Sequence, residues 1–322
     1  MVILHYPNRT VKVRKALSPV ETTNQIHRSI QMTEPHYRLS AADLADTGRW
    51  RLIIYISARG MTAYLLSVAD TEIPAGRIFD TAWEPDKATL LSNIENAVYD
   101  NPRVLDDYSA DIIIDTDRIL WARRCEDYTE AEDMFCELYH TEPYDIFIHE
   151  TDGLAALFTL SPGLKGFLDR TFPGTRISSS LSLMADTLSR ITPDEPTLYL
   201  HCHDSKADYL LISGGKLLCG VSHDVGSAAD AAYIIFNMAE VYGIAPAELN
   251  VRCDNDSQTM AWLRENVSHL LRSVAPLPLP RVSSDTSMPP AAMFSAARGK
   301  SHVPENTHAP ENTPITPDTQ QP

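Results

Sequence analysis

Three strand-like runs joined by tight turns occupy residues 197–222. The runs are Thr197–His203, Ala207–Ser213 and Lys216–Ser222, separated by a polar Asp-Ser-Lys turn and by Gly214-Gly215. Apolar and aromatic runs with such short turns predict antiparallel hairpins, and two adjacent glycines are typical of a type I′ turn. The segment therefore predicts a three-stranded antiparallel meander, which must bury one face against helices or another sheet.

The same arrangement occurs earlier in the chain. Arg51–Ser57 and Met61–Ser67 flank the turn Ala58-Arg59-Gly60, which predicts a second hairpin. A third strand is expected near Gly76–Ala82. The chain therefore contains two predicted meanders.

Helices and strands are predicted after each meander from the spacing of apolar residues and from capping residues. After the first meander these are a helix from Lys87, a strand at Asp111–Asp115, a helix near Thr129–Tyr139, a strand at Tyr144–Ile148, and helices near Leu164–Arg170 and Ser178–Arg190. After the second they are a helix at Ala228–Val241 with Ser227 as its N-cap, a strand at Leu249–Cys253, and a final helix whose apolar stripe reaches Val274.

The two halves match in element order: hairpin, third strand, helix, strand, helix. This order predicts an α/β protein with two duplicated halves, each a mixed sheet flanked by helices. We place the halves at 49–192 and 193–274, after a flexible N-terminal extension at 1–48. The region 275–322 is rich in Pro, Ser, Thr and Asn. We expect this tail to be disordered, because it cannot bury enough apolar surface to offset its ordering entropy.

The net charge argues against nucleic acid as a partner. The chain has 27 basic and 43 acidic residues, a formal charge of −16, and no long basic stripe. Such a field repels phosphate backbones. The one local exception, Arg9, Lys12, Arg14 and Lys15, is interpreted as a small solvated patch.

The cysteines and the apolar runs predict a cytoplasmic protein. The five cysteines are scattered and include no Cys-x-x-Cys pair, which argues against a disulfide framework or a zinc knuckle. No apolar run is long enough to cross a bilayer, and the N-terminus lacks the apolar stretch of a signal peptide. We therefore expect no membrane insertion.

Several segments together resemble the bacterial domain-of-unknown-function 3822 family. They are Ile112–Thr116, Arg170–Gly174, Ala207–Leu217 and Ala231–Ile235. The resemblance covers roughly residues 50–274 and rests on many modest similarities, none of them a catalytic motif. It implies an actin-like ATPase architecture with two ribonuclease H-like halves of the type ββBαβα, and no assigned activity.

Active members of that superfamily place an Asp-x-Gly turn after the first strand of each half, where phosphates and magnesium bind. Here the first turn is Ser57-Ala58-Arg59-Gly60 and the second is His203-Asp204-Ser205-Lys206, while the adenosine position falls near Val251–Asn255, without a glycine. Because only glycine lets the backbone approach a phosphate so closely, we expect a lost nucleotide site with no bound cofactor and no catalytic residue. The residues of the vestigial cleft are Ser57, Gly60, Asp115, His203, Asp204 and Ser205.

Two other patterns near these turns have a structural interpretation. His201, His203 and Asp204 could converge as metal ligands, but no further His or Asp ligands follow closely, so we interpret them as an ordinary polar strand face and expect no metal. Asp115-Thr116-Asp117 follows a strand as in haloacid-dehalogenase-type phosphatases. Ile119 occupies the position where that class has threonine or valine, so we interpret the aspartates as loop caps.

The function predicted from these features is that of a non-catalytic adaptor or scaffold that binds an unidentified protein. The alternative is an ATP-binding enzyme or switch that holds magnesium with Asp204, Ser205 and Asp115. A third hypothesis is a metal protein that uses His201, His203 and Asp204.

Overall fold

The computed structural model describes residues 46–68, 76–151, 153–192, 194–203, 206–253 and 258–278, without the side chain of His203. Residues 1–45 of the predicted extension and residues 279–322 of the predicted tail lie outside this part of the chain.

The first half contains eight strands and four α-helices in its described residues. In chain order they are β1 (Trp50–Ser57), β2 (Gly60–Ser67), β3 (Gly76–Ala82), α1 (Leu90–Asp100), β4 (Ser109–Ile114), β5 (Ile119–Arg123), α2 (Thr129–Tyr139), β6 (Phe147–Glu150), β7 (Leu154–Phe158), α3 (Leu164–Thr171), β8 (Arg176–Ser179) and α4 (Ser180–Ser189).

The second half, like the first, begins with a three-stranded meander. Its elements are β9 (Thr197–His203), β10 (Lys206–Ser213), β11 (Lys216–Asp224), α5 (Ala228–Val241), β12 (Asn250–Cys253), α6 (Gln258–Asn266) and β13 (Ser273–Pro276). Short 3-10 turns lie at Thr47–Arg49, Pro102–Leu105, Pro143–Asp145 and Pro246–Glu248.

The two main sheets have the same topology. Their strand orders are β3-β2-β1-β4-β8 and β11-β10-β9-β12-β13. In each, the first strand is antiparallel to the second and parallel to the fourth. The predicted duplication of a mixed α/β unit is therefore confirmed.

Local turn and cap chemistry agrees with the sequence in the second half. Gly214 and Gly215 have φ angles of 56° and 69°, as a type I′ turn requires, and Ser213 pairs with Lys216. The Ser227 hydroxyl accepts from the N–H of Asp230 at 3.2 Å and caps α5. These predictions are confirmed because each depends only on neighbouring residues.

A third sheet, which the sequence did not predict, is inserted between β4 and α3. Its order is β5-β7-β6, all antiparallel, and α2 packs against it around Leu120, Phe135 and Leu157. The strand predicted at Tyr144–Ile148 is displaced, because Tyr144 lies in a 3-10 turn and β6 begins at Phe147. Strands of four or five residues leave too little alternation to be recognised.

The end of the second half differs from its prediction. The final helix ends at Asn266, and Val274 lies in β13 rather than on a helical stripe. β13 includes Ala275 and Pro276, which we had assigned to the tail, because it pairs in parallel with β12. The helix expected at Ser178–Arg190 likewise begins two residues later, since Ser178 and Ser179 end β8.

Helix α4 joins the two halves. It contacts β8 in the first half and β10 and β11 in the second. Its Leu181, Met184 and Leu188 belong to one apolar cluster with Leu210 and Ile212 of β10. The two main sheets therefore share an apolar core around this helix. This shared core fixes the position of one sheet relative to the other.

Candidate functional site

The predicted cleft residues of the first half lie at one edge of its main sheet. Ser57 ends β1, and Asp115 follows β4, the parallel neighbour of β1. The N–H of Asp115 donates to the backbone oxygen of Ile56 at 2.8 Å, which extends the pairing to the strand ends. The structure therefore brings Ser57 and Asp115 to the same edge, where ligands of open α/β sheets bind.

The turn after β1 is closed by its own hydrogen bonds. The Ser57 hydroxyl donates to the backbone oxygen of Gly60 at 3.3 Å and accepts from the N–H of Arg59 at 3.1 Å. Trp83, just after β3, covers the turn: its indole donates to the oxygen of Ala58 at 3.1 Å, and its N–H donates to the oxygen of Arg59 at 2.8 Å. The N–H of Arg59, a donor that a phosphate would need, is thus already bonded within the turn.

Gly60 is needed for strand pairing. It is the first residue of β2 and lies opposite Ala82 of β3. A Cβ at position 60 would lie 2.7 Å from the backbone oxygen of Thr81, closer than such atoms approach. Close packing of two strands therefore explains this glycine without a ligand.

Asp115 anchors the start of α4. Its side chain is 9% exposed, and Oδ1 accepts from the hydroxyl of Ser180 at 3.3 Å. A carboxylate near the first turn of a helix is stabilised by the helix dipole. The next residue, Thr116, donates to the oxygen of Thr159 at 2.7 Å and accepts from the N–H of Arg118 at 3.1 Å. Asp115 and Thr116 therefore hold the loop after β4 against its neighbours.

The second turn is described only at its borders. Asp204 and Ser205 lie outside the described residues, and for His203 only the backbone at the end of β9 is described. Lys206, which begins β10, places Nζ 3.4 Å from Oδ2 of Asp117. This ion pair links the loop after β4 in the first half to the β9–β10 turn of the second.

His201 belongs to a buried polar row. Asp208 of β10 lies directly opposite both His201 of β9 and Ser222 of β11. The three side chains are 3%, 1% and 8% exposed. His201 was a predicted candidate, whereas Asp208 and Ser222 were missed, because their alignment depends on a bulge after Leu211 that shifts the register of β11.

Two histidines near these edges have lowered pKa values. Burial, and then the nearby Arg176, lower the pKa of His149 to about 4, although Asp186 acts in the opposite direction. Nδ1 of His149 lies 2.7 Å from the hydroxyl of Ser182 in the first turn of α4. Burial also lowers the pKa of His223, against the effect of Asp224 and Asp117.

Across the described ranges, no group of three or more His, Cys, Asp or Glu side chains is arranged to hold a metal ion. Asp204 of the proposed metal set falls outside those ranges.

A family model described as protein of unknown function (DUF3822) matches residues 42–274, well over half of the chain. The chain belongs to the DUF3822 family. The family match confirms the resemblance noted in the sequence. No curated protein matches this chain.

Solved structures place this DUF3822 protein in a known fold. A Bacteroides thetaiotaomicron protein with an actin-like ATPase fold and unknown function superposes with a TM-score of 0.62 at 14% identity, covering 73% of this chain and 93% of that one. The DUF3822 protein thus has an actin-like ATPase fold.

More distant similarities are found to two other solved proteins. The Ppx/GppA phosphatase of Aquifex aeolicus has a TM-score of 0.34 at 10% identity, covering 69% of this chain and 72% of that one. The cytoplasmic domain of EpsL from Vibrio cholerae has a TM-score of 0.33 at 12% identity, covering 74% and 86%.

None of the helices in the described segments of the DUF3822 protein is long and apolar enough to span a membrane.

Proposed function

We propose that this DUF3822 protein is a non-catalytic adaptor, an actin-like fold that has lost nucleotide chemistry and works by binding another protein. The observation that carries the proposal is the closed turn after β1. Backbone N–H groups cradle a phosphate only when they are not already bonded, and the N–H of Arg59 donates to the Ser57 hydroxyl at 3.1 Å. The indole of Trp83 lies against the same turn, bonded to the oxygen of Ala58.

The acidic residue at this edge supports the same proposal. Asp115 accepts from Ser180 at 3.3 Å and is nearly buried, so its carboxylate has a structural partner at the start of α4. The turn itself contributes no carboxylate, since its four residues are Ser57, Ala58, Arg59 and Gly60.

Exposed aromatic residues offer surfaces for a protein partner. Tyr99 on α1, Tyr144 before β6 and Tyr233 on α5 are 62%, 70% and 64% exposed. Tyrosine is enriched at protein interfaces and among the residues that dominate their energy. Tyr144 belongs to the inserted sheet region, for which the described part of the second half has no counterpart. We therefore assign partner binding to the insertion.

The proposal places the protein in the cytoplasm. All five cysteines are free thiols, and two of them, Cys219 and Cys253, are buried in the second half. Unpaired thiols are typical of a reducing compartment.

Calorimetric titration of the full-length protein with ATP–Mg²⁺ at millimolar concentration tests the loss of nucleotide binding. We expect no saturable heat that depends on Asp115. Saturable binding that Asp115→Asn abolishes and the matched Asp117→Asn preserves would overturn the proposal.

Recovery of the partner tests the adaptor role directly. Tagged full-length protein, cross-linked in cells of its source and purified, is expected to carry one protein in stoichiometric amount. Tyr144→Ser is expected to release it, while Tyr99→Ser and Tyr233→Ser, which remove equally exposed tyrosines elsewhere, retain it. Recovery of no partner, or equal retention by all three variants, contradicts the assignment.

The alternative function is that of an ATP-binding enzyme or switch. The observation that favours it is the meeting of Ser57 and Asp115 at the edge where ligands of open α/β sheets bind, with the pair Lys206–Asp117 joining the two halves nearby. The titration above distinguishes it from the adaptor.

A further inference from the structure

A groove of about 610 Å³ lies between the two halves, and none of the described residues of the predicted cleft lines it. Its walls come from the end of β5, from Thr151 and Gly153 between β6 and β7, from the second half of α4 and from the β10–β11 hairpin turn. The hairpin turn and the β9–β10 turn are at opposite ends of β10, on the order of 20 Å apart for a strand of this length. The groove is therefore a separate site, in the size range of small-molecule pockets.

Two cations of the groove have no counter-ion among the residues that the structure describes. Arg190 is neutralised within the groove, because its Nη2 lies 2.6 and 2.8 Å from the two carboxylate oxygens of Asp186. The side chains of Arg123 and Lys216 form no ion pair or hydrogen bond with any part of the chain that the structure describes. Among the groove residues that the structure describes, Arg123, Arg190 and Lys216 outnumber the single carboxylate of Asp186, so this lining is positive in a protein whose net charge is −16.

The two cations come from different halves. Arg123 is the last residue of β5 in the inserted sheet, and Lys216 is the first residue of β11. Beside Lys216 the wall carries Gly214 and Gly215, which add no side chain to the groove, and the N–H of Gly214 donates to the backbone oxygen of Asp194 at 3.1 Å. A ligand held by both cations would thus connect the insertion to the second half.

We propose that this groove binds a small molecule with two anionic groups, phosphate or carboxylate, one bound by Arg123 and the other by Lys216. A planar guanidinium binds such oxygens in a bidentate manner, and an ammonium binds them as a point charge. Because the site exists only in the folded protein, ligand binding stabilises that protein against heat. The groove includes neither the closed turn nor Tyr144, on which the adaptor proposal rests.

Calorimetric titration of the full-length protein at low ionic strength, with inorganic pyrophosphate and separately with succinate, tests this site. We expect saturable binding of at least one of these probes, and the comparison distinguishes phosphate from carboxylate. Arg123→Gln and Lys216→Gln are each expected to weaken binding about tenfold, the effect of removing one charge-assisted hydrogen bond.

The matched control is Arg124→Gln. Arg124 is adjacent to Arg123 and carries the same charge, but its Nε is 2.9 Å from Glu150 and it does not line the groove. This variant is expected to bind the probe like the wild type. Equal weakening by Arg124→Gln, or the absence of binding by both probes, overturns the proposal. Both substituted residues are exposed, so loss of folding is not expected, and unchanged thermal unfolding without ligand verifies this.

Discussion

The indole of Trp121 in β5 donates to the backbone oxygen of Gly220 in β11 at 2.8 Å. This buried bond joins the inserted sheet of the first half to the edge strand of the second. A Cβ at position 220 would lie 3.0 Å from the Trp121 ring and 2.9 Å from Cδ2 of Leu210. The glycine thus allows the indole to lie directly against β11. This contact helps to fix the position of the inserted sheet relative to the second half.

Gly220→Ala is expected to lower the free energy of unfolding by about 1–3 kcal/mol, because overpacking a filled core forces side chains from their positions. Urea unfolding measures the change. Gly48→Ala is the control, since its added methyl would lie 3.5 Å from Asp46 Oδ1, an ordinary contact. A stability of Gly220→Ala equal to that of the control would show that the indole moves freely.

Gly60→Ala is expected to destabilise the protein by a similar amount, about 1–3 kcal/mol, because the methyl would meet the backbone oxygen of Thr81 at 2.7 Å. Since the cause is strand pairing, the loss is expected to be the same with and without ATP–Mg²⁺. Thermal unfolding under both conditions measures it. A loss seen only with the nucleotide would instead indicate a phosphate-binding glycine.

His149 is expected to make the stability depend on pH. In the folded protein its pKa is about 4, below the usual 6.5, so between these values only the unfolded chain binds the proton. Stability is therefore full above pH 6.5 and falls as the pH drops toward 4, by about 2–3 kcal/mol after allowance for partial exposure.

Urea unfolding from pH 7.5 to 4.5 tests this dependence. His149→Asn, which can still bond to Ser182, is expected to flatten the curve in this range. His269→Asn, at an exposed position on the second half, is expected to follow the wild type. An unchanged slope in His149→Asn would exclude His149 as the cause.

Asp111 is expected to make a major electrostatic contribution to the stability of the first sheet. Its side chain is 4% exposed, and the carboxylate accepts from Arg51 of β1 and from Arg176 of β8, the latter at 2.8 Å. Asp111→Ala leaves two arginines without their carboxylate partner and is expected to lower the free energy of unfolding by about 2–4 kcal/mol. This loss is smaller than for a fully buried ion pair, because both arginines are partly hydrated.

Chemical denaturation of Asp111→Ala is compared with that of Asp169→Ala. Asp169 pairs with Lys165 on the surface of α3 at 2.8 Å, and its removal is expected to cost less than about 1 kcal/mol. A cost for Asp111→Ala in the range of this control would mean that the arginines find water or other partners without loss.

Much of the candidate site could not be located from the sequence alone. Ser57 and Asp115 were named from the family pattern, and parallel pairing of β1 and β4 brings them to one edge. The cover of Trp83 over the β1–β2 turn was missed, because residue 83 follows β3 and approaches the turn only through sheet pairing.

Elements defined by neighbouring residues were determined by the sequence itself. The two meanders, the Gly214-Gly215 turn and the capped helix α5 follow from alternation, left-handed glycine geometry and a serine N-cap, all of which act over a few residues. The repeated order of these elements also determined the duplicated α/β fold.

Features that depend on pairing between distant segments were decided by the tertiary structure. β8 and β13 have four residues each and are strands only because β4 and β12 lie beside them. The row of His201, Asp208 and Ser222 depends on a bulge, and the groove between Arg123 and Lys216 depends on three segments that meet around α4. Local propensity carries no information about such contacts, because the free energy that stabilises them comes from surfaces buried between remote parts of the chain.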